Sequence, residues 1–138
     1  MSDMQLTLIL QSGEFDRIHY GLMMAVTAAA LDKKVTLFIT NAACLAFAKH
    51  DRWRNLPISL GMQHLAQNAG TLDTYYQAQH IASFDSLKES ALALDVEWKI
   101  CESGLRAMGL SIDDLDPEIP FVAGGLVGVM HHPQIISI

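Results

Sequence analysis

Two short apolar runs separated by one helical pattern constrain the fold more than any other feature of this sequence. Residues 6–10 and 35–40 are rich in leucine, isoleucine, valine and threonine, which is typical of buried strands. Between them, Ile18, Leu22 and Val26 recur at the four-residue spacing of an amphipathic helix. The order strand, helix, strand indicates a parallel sheet, because parallel neighbours need a long crossover connection, which is usually a helix.

The rest of the chain continues this order. A second helical stretch is expected from Asn41 through Lys49, and Ser83 is placed to cap a third helix. Further strands are expected at residues 96–101, 119–123 and 135–138, and further helical turns at residues 102–108, 112–115 and 125–130. The sequence therefore predicts a single domain over residues 1–138. Its fold is three-layer α/β/α with a mostly parallel five-stranded sheet, flavodoxin-like in outline.

Regular patterning fails over residues 51–82. Pro57 and Gly70 interrupt this stretch, and a long irregular segment inside a compact domain is often functional. We expect two short helices in it, near residues 59–68 and 75–80. Its apolar residues are few and irregularly spaced, so its order must come from contacts elsewhere. The segment is thus an insertion that is either mobile or folded over the sheet edge.

Composition and charge narrow the classes of function. The chain carries 9 basic and 15 acidic residues, for a net charge of −6, whereas unspecific nucleic-acid binding needs a basic surface. No nucleic acid partner is therefore expected. No secretory signal or membrane span is visible, because prolines and histidines interrupt the uncharged stretch near the end. We expect a cytoplasmic protein whose two cysteines stay free thiols in a reducing compartment.

Cys101 is the residue best placed for chemistry. It stands where an apolar strand stops and a helix begins, and ligands of open α/β sheets bind at the carboxyl ends of the strands. Backbone N–H groups and the helix dipole at such a junction stabilise a thiolate, although the adjacent Glu102 acts in the opposite direction. An inert core cysteine is the competing interpretation, and position alone does not decide between the two.

The segment around this cysteine resembles one family. Residues 96–110, with the sequence VEWKICESGLRAMGL, present a strand, the cysteine, a helix and then Gly-Leu, and an acidic turn follows at residues 111–115. The start of the chain also fits, with an apolar strand, a short polar loop and a small-residue helix that contains residues 20–25. This arrangement is similar to the DsrE/DsrF-like family of small sulfurtransferases and sulfur-relay proteins. The resemblance spans most of the chain as a pattern of elements.

The resemblance implies sulfur transfer. In such proteins one cysteine accepts sulfane sulfur as a persulfide and a partner's thiol takes it on, and Cys101 matches that cysteine. The implied partners are a sulfur donor or acceptor protein, such as a TusA-like carrier, and further copies of the chain in a homo-oligomer, a trimer or hexamer. Residues 121–138, which hold no charge, would lie partly against a neighbouring subunit. Two alternatives stay open: a non-catalytic oligomeric module that binds a small ligand or a protein, and a two-cysteine thiol redox protein.

A second thiol and part of the insertion are secondary candidates. Cys44 is expected near the end of the second strand, at the same sheet edge as Cys101, and a close approach of the two residues would allow a relay or redox pair. Core filling is the favoured interpretation of Cys44. The insertion can bring four side chains near the thiol as a pocket or lid, namely Trp53, Tyr75, Tyr76 and His80. The competing interpretation is that these side chains fix the insertion to the domain.

No cofactor or metal site is expected. The six histidines show no His-x-x-x-His spacing, and the chain has no Cys-x-x-Cys pair. The glycines within residues 124–128 lack the Lys-Ser/Thr ending of a phosphate loop, so close backbone packing explains them better than nucleotide binding.

Overall fold

The computed structural model of the protein describes residues 5–138. Within that range five strands form one sheet, in the order β4-β3-β2-β1-β5, and every neighbouring pair is parallel. The strands are β1 Gln5–Leu10, β2 Lys34–Ile39, β3 Glu97–Cys101, β4 Val122–Gly124 and β5 Ile135–Ser137. The predicted α/β fold with a parallel five-stranded sheet is confirmed.

Helices supply most of the connections between these strands. The α-helices of the described chain are α1 Phe15–Ala30, α2 Ala69–Ala78, α3 Phe84–Ala93 and α4 Glu102–Ala107. Short 3₁₀ helices lie at Asn41–Phe47, Arg52–Asn55, Leu60–Met62, Ile112–Asp114 and Leu126–Gly128. Across residues 5–138, no helix combines the length and the apolar character needed to cross a membrane.

The strand order places the α-helices on one face of the sheet. The steps from β1 to β2, β3 and β4 all move in the same direction, and parallel crossovers are right-handed. The connections that contain α1 to α4 therefore cover the same face. Leu8, Leu37 and Ile100 of the three central strands are fully buried there, in one cluster with helix residues such as Phe15 and Phe84. We call this cluster the main core.

The second face of the sheet is covered by the crossing from β4 to β5. These two strands lie at opposite edges, so the chain between them, residues 125–134, must cross the face that the α-helices leave open. The crossing contains the 3₁₀ helix Leu126–Gly128. Helical structure thus covers both faces, as predicted, but unequally: α-helices fill one layer, and a short crossing with a 3₁₀ helix forms the other.

Two segments differ from the local predictions. The stretch expected to be helical through Lys49 is the 3₁₀ helix Asn41–Phe47, which stops where Ala48 pairs with Leu115 in an antiparallel bridge. The fourth strand, expected at residues 119–123, is β4. It begins after Pro120, because proline has no N–H to donate to a sheet ladder.

The helices of the insertion also shift. The helix expected at residues 59–68 is reduced to the 3₁₀ turn Leu60–Met62. The helix expected at residues 75–80 is the end of the longer α2. That helix starts earlier because the Asn68 side chain accepts a 3.0 Å hydrogen bond from the Thr71 N–H in a capping box, which satisfies a free donor of the first turn.

The insertion packs into the main core. The Trp53 ring stacks on Phe15 at a centroid distance of 5.3 Å and lies 4.9 Å from the Phe84 ring. The Tyr76 ring also stacks on Phe15, at a centroid distance of 6.4 Å. The insertion therefore takes its order from aromatic residues at the starts of α1 and α3.

Trp53→Ala should destabilise the protein by about 3–5 kcal/mol, the usual effect of truncating a fully buried tryptophan. Urea unfolding followed by circular dichroism measures this difference. Leu60→Ala is the matched control in the same segment, because Leu60 is 81% exposed, and its effect should stay within about 0.5 kcal/mol. Equal small effects of both substitutions would show that the insertion does not anchor to the core.

His19 is a buried titratable residue of α1. Its Nε2 atom donates a 2.8 Å hydrogen bond to the Ala82 carbonyl oxygen, and its ring lies 4.6 Å from the Tyr76 ring. Burial lowers the pKa of His19; the hydrogen bond to Ala82 and the nearby charges of Asp73 and Asp16 oppose this shift only in part. The folded protein therefore favours the neutral imidazole.

The free energy of unfolding should decrease as the pH falls from about 7 to about 5, because unfolded His19 takes up a proton near its ordinary pKa of about 6.5 and folded His19 resists it. His19→Gln keeps an N–H for the Ala82 carbonyl, so it should reduce this slope in urea titrations at several pH values. The pKa of His132 is also lowered, with burial as the largest cause, so His132 should still make the stability of the His19→Gln variant depend on pH. His64→Gln, at an exposed position, is the control and should keep the full slope.

Candidate functional site

Cys101 lies at the carboxyl end of the sheet, where β3 turns into α4. It is the last residue of β3 and the N-cap of α4, and its Sγ atom accepts a 3.4 Å hydrogen bond from the Gly104 N–H. The Ser103 hydroxyl lies 3.5 Å from the same sulfur. The sulfur thus occupies the position that a serine or aspartate oxygen takes at other helix starts.

Thr40 is the third polar neighbour of this sulfur. The last register pair between β2 and β3 joins Ile39 to Ile100, so the next residues, Thr40 and Cys101, continue side by side. The Thr40 hydroxyl lowers the pKa of this thiol. Thr40, which directly follows β2, and the first turn of α4 therefore approach the same sulfur atom at the end of β3.

The balance of these contacts favours the thiolate. Burial, the largest influence, raises the pKa of Cys101, but hydrogen bonds from Thr40, from Ser103 and from the Gly104 N–H lower it further than burial raises it. The net pKa lies below the ordinary value of the thiol. Glu102, which the sequence indicated as an opposing charge, is exposed, so solvent screens it.

Gly104 permits the close approach of α4 to the end of β2. A Cβ atom on this residue would lie 2.4 Å from the Thr40 Oγ1 atom and 2.5 Å from the Asn41 backbone nitrogen, which is closer than real Cβ atoms come. Glycine at this position therefore lets the Thr40 hydroxyl and the helix N–H groups share the Cys101 sulfur.

The side chain of Cys101 faces the second face of the sheet. Trp98 and Ile100 belong to the main core, whereas Cys101 packs in a small separate cluster with Phe38 and Val129, against the partly buried Ile9. Cys101 is 5% exposed. The thiol is thus nearly enclosed, and the residue that covers it from the crossing is Val129.

Cys44 occupies a different environment. It lies in the 3₁₀ helix Asn41–Phe47, is fully buried in the main core, and is a free thiol, as is Cys101. Burial, followed by the charge of Cys101, raises the pKa of Cys44 to about 12. Cys44 therefore stays protonated at neutral pH, which agrees with core filling and makes it a poor nucleophile.

The proposed pocket or lid residues do not gather at Cys101. Trp53 and Tyr76 are buried in the main core, on the helical side of the sheet, whereas Cys101 belongs to the cluster on the second face. Tyr75 is half-buried beside the main core, and His80 is exposed at the end of α2. These contacts match the competing interpretation, in which the aromatic residues fix the insertion to the domain.

The sequence pattern does not indicate four of the residues at this site, namely Thr40, Ser103, Gly104 and Val129. Thr40 ends the second apolar run of the sequence, and its proximity to Cys101 depends on which strands are neighbours. Val129 arrives from a distant crossing. Among residues 5–138, no three histidine, cysteine, aspartate or glutamate side chains converge closely enough to hold a metal ion.

Comparison with known proteins supports the fold. No family model matches the chain, and no curated protein matches it. A solved structure of a protein of unknown function from Methanobacterium thermoautotrophicum is similar over 97% of this chain and 98% of that chain, with a TM-score of 0.55 and 12% sequence identity. At that identity the likeness shows the fold alone: both chains are small α/β proteins of the same overall arrangement.

Proposed function

We propose that the protein is a sulfur carrier or sulfurtransferase that holds sulfane sulfur as a persulfide on Cys101. The observation that carries this proposal is the contact of the Cys101 sulfur with the Gly104 N–H and the Ser103 hydroxyl, beside Thr40, because these groups together favour the thiolate over the thiol. The thiolate is the nucleophile in sulfur exchange. A cysteine that serves only to fill space needs no such donors.

The transfer consists of two displacements without net oxidation. The Cys101 thiolate attacks the outer sulfur of a donor persulfide, so that a new S–S bond forms, the donor's S–S bond breaks, and the donor leaves as a thiolate. An acceptor thiolate then attacks the outer sulfur on Cys101 and restores the Cys101 thiolate. In this second step the Cys101 thiolate is the leaving group. The Gly104 N–H and the hydroxyl groups of Thr40 and Ser103 stabilise it, because hydrogen bonds to an anion are stronger than those to a neutral sulfur.

The partners follow from this chemistry. The donor and the acceptor are sulfur-bearing proteins or small thiols, a TusA-like carrier among them, and a reducing compartment such as the cytoplasm keeps both cysteines free. Val122 is an exposed apolar side chain on β4, an edge strand of the sheet, and we propose that this edge contacts a neighbouring copy in a homo-oligomer.

The alternative function is a binding module of the same fold in which Cys101 is inert. One observation favours it: the thiol is nearly enclosed in this structure, so a substrate has little access to the sulfur. The two functions differ in whether Cys101 exchanges sulfur, which is directly measurable.

Incubation with glutathione persulfide, followed by intact-mass and peptide measurements, tests the proposal. We expect the mass of the protein to rise by one sulfur atom, located on Cys101, and to return to its original value when a small thiol is added. Cys44→Ala should load normally, whereas Cys101→Ser, which keeps an acceptor for the Gly104 N–H, should fold and not load. A protein that remains unmodified in excess donor would support the inert binding module.

The hydrogen bonds to the sulfur predict its reactivity with iodoacetamide. Cys101 should be alkylated faster than Cys44 at neutral pH. Thr40→Val should lower the Cys101 rate near pH 7 roughly tenfold, because a hydrogen bond to a charged group is worth about 1.5–3 kcal/mol. Its pH–rate profile should move to higher pH.

Thr27→Val, at an exposed position on α1, is the matched control and should leave the rate and the profile unchanged. An unaltered profile in Thr40→Val would mean that Thr40 does not stabilise the thiolate. A Cys101 pH–rate profile with the midpoint of an ordinary thiol, about 8.5, would contradict the thiolate assignment itself.

A further inference from the structure

Residues 125–134, which we call the strap, are loosely attached to the sheet that they cross. For residues 126–132, in the described part of the chain, the main-chain hydrogen bonds connect only to other residues of the strap. The main chain is tied to the sheet again at Gln134, whose carbonyl oxygen accepts a 2.9 Å hydrogen bond from the Thr7 N–H. The strap therefore spans the second face without a backbone connection to it between its ends.

Two side chains attach the strap to the sheet. Val129 is wholly buried against Cys101 and Phe38. His132 is half-buried, and its Nδ1 atom is hydrogen-bonded to the hydroxyl of Thr7, which has no exposed surface. One apolar contact and one hydrogen bond thus provide the attachment, and the apolar contact lies directly over the thiol.

The remaining strap residues contribute little packing. Val127 is 89% exposed, and Leu126 and Met130 are more than half exposed. A Cβ atom added to Gly125 or to Gly128 would meet no other atom within 4 Å. Segments with few buried contacts and few hydrogen bonds to their surroundings open at low free energy, without unfolding of the whole domain.

We propose that the strap is the gate to Cys101: it opens by withdrawing Val129 from the sulfur and closes by returning it. This proposal rests on the proposed function, for which it supplies the route of access. In the closed state the strap keeps water and stray thiols away from sulfur bound on Cys101. In the open state the thiol is exposed to a donor or acceptor at the carboxyl edge of β3.

The rate at which a bulky reagent labels Cys101 measures how readily the strap opens. Monobromobimane is compared with the smaller iodoacetamide, and the modified peptide is quantified by mass spectrometry so that Cys44 does not interfere. Rates are taken on the high-pH plateau, where Cys101 is wholly thiolate and a changed pKa has no effect. Val129→Ala should raise the bimane rate about tenfold, because two buried methyl groups stabilise the closed strap. The iodoacetamide rate should rise less.

Val127→Ala is the matched control: it is the same substitution in the same strap at an exposed position, and it should leave both rates unchanged. Thr7→Val is a second test, because it conserves shape, removes the hydrogen bond to His132 and does not touch the sulfur. Thr7→Val should raise the bimane rate several-fold. Its thermal unfolding midpoint should stay well above the temperature of the labelling experiment, so that the protein is fully folded during labelling. Wild-type rates in both Val129→Ala and Thr7→Val would overturn the gate.

Failure of the gate and failure of the proposed function give different results. Faster labelling of the two variants, without uptake of sulfur from glutathione persulfide by any of the proteins, would support the gate and contradict sulfur transfer. Uptake of sulfur on Cys101, together with identical labelling rates in the wild type and the three variants, would overturn the gate and still support sulfur transfer.

Discussion

The return crossing from β4 to β5 determines how the two faces of the sheet are covered. Each step from β1 through β2 and β3 to β4 moves towards the same edge of the sheet, and parallel crossovers are right-handed. The α-helices therefore share one face of the sheet, where they form a thick apolar layer. The second face receives a short strap instead. Side chains alternate along a strand, so Ile100 enters the thick layer and Cys101, the next residue, enters the thin one. The location of Cys101 under the thin layer is thus a consequence of the strand order.

The two layers give the two cysteines opposite properties. Cys44 lies in the thick layer, where burial holds its thiol in the neutral form. Cys101 lies at a strand end under thin cover, where hydroxyl and N–H donors are within reach and outweigh the effect of burial. Gly104 makes this possible, because only the absence of a side chain lets the first turn of α4 meet the end of β2. A small change in local packing therefore separates a structural cysteine from a candidate nucleophile.

The second face of the sheet also carries two buried hydroxyl groups. Thr7 and Thr36 are fully buried on the second face, and each finds a partner: Thr7 pairs with His132 of the strap, and the Thr36 hydroxyl donates a 3.1 Å hydrogen bond to Glu97. Buried hydroxyl groups need such partners, since an unpaired one is unfavourable. The main core, in contrast, is a large apolar cluster of aliphatic side chains and packed aromatic rings. The two faces of the sheet thus differ in the amount of apolar packing that covers them.

The sequence by itself determined the α/β class, the parallel strands and the position of Cys101 at a strand-to-helix junction, because short apolar runs and helical periodicity are local properties. It also determined that the insertion carries aromatic residues, but not where they pack. Only the tertiary structure decided that Trp53 and Tyr76 enter the main core, that Thr40 lies beside Cys101 and that Val129 covers it. These contacts join residues far apart in the chain, and they depend on which strands are neighbours and on which face each connection crosses. Local patterning carries no information about either.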